Sequence, residues 1–115
     1  MRGLTLAILL VATSATAADD SGIKPSYQAT LDSVSSQSDC KRKDYPDFIF
    51  FDCSAGNAPA SWFFTKPGTP AHPGVLVRRF TPTDIETNAH SYGSDDAQPA
   101  FEAWMDRVGH SILGH

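Results

Sequence analysis

Apolar residues recur along the chain in two different periods, and the change from one to the other outlines the elements. Phe48 to Cys53, Ser61 to Thr65 and Gly74 to Thr81 are short runs rich in aromatic and β-branched residues. Pro, Gly or Asn bounds each run, the pattern of strands separated by turns. The link from Ala55 to Pro59 holds Gly56 and Asn57 and fits a hairpin loop, so the three runs read as an antiparallel meander. From Phe101 onward the period lengthens. Phe101, Trp104, Met105, Val108 and Ile112 are spaced i, i+3, i+4, i+7 and i+11, which predicts an amphipathic helix. Pro99 suits its first turn, Asp95 and Asp96 stand near its positive end, and Gly114 suits its stop.

Two stretches are weaker. Ile23, Tyr27, Leu31 and Val34 share a helical face, but Ser33, Ser35, Ser36 and Ser38 compete for backbone hydrogen bonds. That segment reads as a short helix or a loosely held stretch. Thr83 and Glu86 match a capping box, yet no apolar period follows. Pro82 to Asp96 therefore reads as a polar connection with one helical turn at most.

Alternation along the strands sets a packing problem. Val75, Val77 and Arg79 face one way and Leu76, Arg78 and Phe80 the other, while Trp62 and Phe64 oppose Phe63. Both sheet faces carry large apolar groups, and a C-terminal helix covers only one of them. The simplest second cover is the Ile23–Val34 segment; the alternative leaves Trp62 or Phe63 to meet a partner or a second copy. The expected fold is α+β: an antiparallel meander of three to four strands, a C-terminal helix packed on one face, and one disulfide.

The first residues carry a different signal. Arg2 gives a short positive region, Leu4 to Ala12 an apolar run of about nine residues, and Ala15-Thr16-Ala17 a small-residue cleavage site, the anatomy of a signal peptide over 1–17. The run is short of the ~20 residues that span a bilayer, so no membrane span is expected. The organisation is then a signal peptide at 1–17, an N-terminal segment at 18–39 and a single domain at 40–115. The expected compartment is the periplasm or the extracellular medium, after cleavage near Ala17. Cys40 and Cys53 are the only two cysteines, and an exported chain meets oxidant, which predicts a bridge between them. Closing a loop of about 14 residues is worth ~3 kcal/mol in the chain-entropy account.

Composition narrows the function classes. Without residues 1–17, which include Arg2, about 98 residues carry eight cations against thirteen acids, a formal charge near −5. One small domain cannot house a dinucleotide fold with a substrate domain, and an acidic chain does not suit general nucleic-acid binding. The charge is unevenly spread: acids gather at the mature N-terminus and around Asp84 to Asp106, whereas Lys41 to Lys43, Lys66, Arg78 and Arg79 cluster around the hairpins. A basic face on an acidic protein is the expectation.

No nucleophile elbow, phosphate loop, zinc-protease or calcium-loop motif occurs. His72, His90, His110 and His115 are scattered, without the tight local pair of a zinc site. No catalytic set, metal or cofactor is expected; a small hydrolase or metal-dependent enzyme using His72 or His90 is the alternative class. The most specific local feature is Thr65 to Gly74, where Pro67, Pro70 and Pro73 stiffen the link between two strands. A stiff loop loses little entropy on binding. With its flanks it gives a partner-binding set of Trp62, Lys66, His72, Arg78 and Arg79. The sequence reads as a small exported binding protein, an inhibitor or neutraliser of a secreted enzyme, with a protein or a small anion as partner. A dimeric structural protein of the envelope, a homodimer burying Trp62 or Phe63, is the third class.

Overall fold

Five strands follow one another across a single antiparallel sheet in the order of the chain. The computed structural model describes residues 22–55 and 58–113, with side chains as far as Gly109. The expected signal peptide, the stop at Gly114, His115 and the side chains of His110 and Ile112 lie outside the described residues. Helix α1 (Tyr27–Ser35) precedes β1 (Lys41–Asp44), β2 (Phe48–Cys53), β3 (Ala60–Thr65), β4 (Gly74–Phe80) and β5 (Ile85–Ser91). A 3-10 turn over Asp95–Ala97 leads into α2 (Gln98–Leu113).

The class is α+β and the sheet is a meander, but it has five strands where the sequence suggested three to four. Both added strands are edges. Lys41–Asp44 is wholly polar and exposed, and Ile85–His90 is exposed on both faces. Neither faces a core, so neither carries the period-two apolar pattern by which an inner strand is recognised. Glu86 of the capping-box match is a β5 residue, paired with Arg79.

Both faces of the sheet are covered by helices of the same chain. On one face Ile49, Phe51, Trp62, Phe64, Val75 and Val77 pack with Val34 of α1, closed at the rim by Ile23, Tyr27 and Leu31. Ser26 caps α1 by accepting the Ala29 N–H at 3.1 Å. Buried Thr30 binds the helix to the chain around it: its hydroxyl accepts from the Lys24 N–H at 2.9 Å and lies 3.1 Å from that of Tyr92. The serine-rich segment is thus a nine-residue helix, tied down by polar contacts as well as apolar ones.

On the other face Phe48, Phe63, Ala71 and Leu76 meet Phe101, Trp104 and Val108 of α2. Trp104 has no exposed surface, and its indole N–H donates to the Asp47 carbonyl at 3.0 Å. Gly74 lets α2 come this close, since a Cβ there would stand 2.3 Å from the Phe101 ring.

Cys40 and Cys53 are bridged. They continue the β1–β2 register one step beyond Lys41 and Asp52, so the staple joins the start of β1 to the end of β2. A disulfide points to an oxidising compartment.

Candidate functional site

The Pro-rich link between β3 and β4 is anchored at both ends by one side chain. Thr65 ends β3 and is fully buried; its hydroxyl accepts the Gly74 N–H at 2.9 Å and lies 2.9 Å from His72 Nδ1. Its own carbonyl accepts from the Tyr27 hydroxyl of α1. The His72 ring stands edge-on to Tyr27 at 4.6 Å, and the His72–Pro73 peptide is cis. Ala71 is buried in the α2 cluster, and the Pro73 carbonyl accepts the Tyr92 N–H at 2.9 Å. Within the loop, the Lys66 carbonyl accepts from the Thr69 hydroxyl and the Thr69 carbonyl from the His72 N–H. Pro67, Gly68 and Pro70 remain exposed at the apex, where Gly68 takes a left-handed conformation with φ of 92°. The arrangement is a fixed stem with an open tip.

The electrostatics follow from these contacts. Burial lowers the pKa of His72, against the opposing effect of its hydrogen bond to Thr65. Burial likewise raises the Tyr27 phenol. At the neighbouring β1–β2 turn, Asp44 is lowered mainly by its hydrogen bond from Arg42, with a smaller contribution from Lys66. Lys66 thus stands near an exposed Arg42–Asp44 pair closed at 2.8 Å. Beyond that turn lies a cleft of about 350 Å³ lined by Tyr45, Pro46, Asp47, Phe48, Arg107 and Val108. Arg107 reaches Asp47 at 3.2 Å along its rim.

The five residues singled out by sequence do not form one site. Lys66 and His72 share the loop at one end of the sheet. Arg78 and Arg79 sit near the far end of the seven-residue β4, about 13–17 Å beyond Gly74 at strand rise, and point to opposite faces. Arg78 lies against Gly109 of α2, whereas Arg79 lies over Gly22 on the α1 face. Trp62 is only 4 % exposed and stacks on Phe64, so its ring belongs to the core. Trp62 and Arg79 instead line a cavity of about 340 Å³ with Gly22, Lys24, Val34 and Asp39. The expected basic face is therefore split across both faces and both ends of the sheet. Phe63 has no exposed surface, and α1 and α2 take the places that a second copy on Trp62 or Phe63 would need.

His72 turns to Thr65, and the exposed His90 packs its ring on Tyr92 at 4.5 Å. Among the described residues no group of three His, Cys, Asp or Glu is placed to hold a metal, and no helix is long and apolar enough to cross a membrane. The Thr65 hydroxyl is buried and engaged by its neighbours, which makes it a structural tie rather than an accessible nucleophile. Thr65 and Tyr27 are the anchors that the sequence reading missed. The only signal was a hydroxyl closing an apolar run, and a Tyr on a helix otherwise rich in Ser. No family model matches the chain, and no curated protein or solved structure is detectably similar to it.

Proposed function

We propose that the chain is a small exported binding module that engages a protein partner, a secreted enzyme foremost, through the tip of the Lys66–Pro73 loop. One observation carries this reading: the loop is held at its root by Thr65, His72, Ala71 and Pro73 while Pro67, Gly68 and Pro70 stand open. A tip fixed before contact loses little conformational entropy on docking, the property that suits insertion into a cleft. The adjoining apolar cleft at Tyr45 and Phe48 extends the same end of the molecule as a contact surface. The disulfide supports export, because such bridges persist in oxidising compartments.

The test is capture from the native extracytoplasmic fraction with the oxidised chain as bait, beside a variant carrying Lys66→Glu and Pro70→Ala. A partner retained by the wild type and lost by the variant supports the reading, and residual activity of a captured enzyme measures inhibition. A partner held equally by both overturns the loop as the contact, and no retained partner overturns the binding module.

A further inference from the structure

The two edges of the sheet are built differently, and β5 has few of the devices that keep an edge strand from pairing. It is seven residues long, exposed on both faces from Ile85 to His90, and carries Glu86 as its only formal charge. It holds no Lys and no Pro, and no bulge interrupts its register with β4. At its start Ile85 is 54 % exposed and Phe80, its β4 partner, 40 %. Such an edge is a template for one further strand.

The sequence of β5 is complementary to itself. When two copies run antiparallel about a two-fold axis at Asn88, Ile85 meets Ser91, Glu86 meets His90 and Thr87 meets Ala89, so all seven positions pair. Glu86 then faces an imidazole able to donate to it, twice by symmetry, with Arg79 beside it in register on β4. No like charges oppose each other. A parallel pairing in register would set Glu86 against Glu86, and the same antiparallel operation on β1 would set Arg42 against Lys43. The axis lies normal to the sheet, so both α1 helices stay on one face and both α2 helices on the other. We infer that β5 is the interface with a second copy of this chain, joining two five-stranded sheets into one of ten strands centred on Asn88.

Sedimentation of the oxidised chain from micromolar to millimolar concentration reads the interface directly. The wild type is expected to form dimers. Glu86→Lys alone removes the carboxylate that accepts from His90, and His90→Glu alone sets two carboxylates together, so each weakens self-association by about tenfold. The two variants mixed restore a complementary pair on each side and regain the wild-type affinity. Asn88→Cys places two thiols across the axis, within the ~4.5–5.5 Å Cα separation of opposed strand residues, and is expected to give a covalent dimer on oxidation. A wild type monomeric at millimolar concentration, single variants that dimerise as well as the wild type, or an Asn88→Cys chain that stays uncrosslinked would each overturn the interface. The loop reading is unaffected by any of these, since Lys66 to Pro73 lies outside β5.

Discussion

β1 and β5 occupy equivalent places at opposite edges of the sheet, yet different forces hold them. β1 is four residues long, bears three cations and one acid, and buries nothing of its own. Besides its four-residue ladder to β2, its anchor is covalent, through Cys40 at its start and Cys53 on the neighbouring strand. β5 is longer, nearly uncharged, and attached by its ladder to β4 and by polar ties at its end. There Tyr92 gives its N–H to Pro73 and its hydroxyl to the Lys24 carbonyl at 2.6 Å. The lesson is that a strand with no core contacts still needs an anchor, and its chemistry decides what dislodges it. Reductant acts on one edge, and loss of the polar ties on the other.

The largest expected effect is on β1. Replacing both cysteines, as Cys40→Ser with Cys53→Ser, lowers stability by ~3 kcal/mol in denaturant unfolding. Amide exchange then rises first in Lys41 to Asp44 while β5 keeps its protection; equal loss at both edges would break the contrast. A smaller effect is expected at the other anchor. Tyr92→Phe removes the hydroxyl shared with Lys24 and Thr30, at about 1 kcal/mol, and raises exchange in β5 but not β1.

Acid acts on the loop whose Pro73 carbonyl accepts the Tyr92 N–H. His72 has a lowered pKa when folded, so as pH falls below about 6.5, the ordinary imidazole value, the unfolded chain takes up the proton first. Stability contributed by neutral His72 is present above that pH and is lost as pH drops towards the lowered folded value. Unfolding at pH 7 and pH 5 is expected to show a decline that shrinks in His72→Gln; an identical decline in both would remove His72 from the account. The smallest effect on stability is expected from Lys41→Thr with Lys43→Thr, within about 0.5 kcal/mol for exposed positions. The variant sharpens the contrast in another readout, since a β1 edge stripped of its cations should self-associate in light scattering.

The elements legible in the sequence are those with a buried face. Phe48 to Cys53, Trp62 to Phe64 and Val75 to Val77 announced the inner strands, Phe101 to Val108 the long helix, and the lone cysteine pair its bridge. The edges were silent because Lys41–Asp44 and Ile85–Ser91 are selected by solvent and not by packing. The candidate site was legible as a loop but not as a set. Proline spacing marked the stiff link, whereas nearness in sequence joined Arg78 to Arg79 although strand alternation sends them to opposite faces. Trp62 flanks the loop in sequence, but its ring lies beneath α1, a serine-rich helix held in part by Thr30 and Tyr27 through contacts distant in sequence.

The late position of α2 bears on how the chain is made. In chain order α1 precedes every strand of the face it covers, so that face is complete once β2, β3 and β4 are in place. The opposite face, with Phe48, Phe63 and Leu76, stays bare until the residues from Phe101 onward have emerged. A chain interrupted before that point presents an aromatic sheet surface of the kind chaperones and proteases seize. Arrival of the last helix thus closes the second of the two cores.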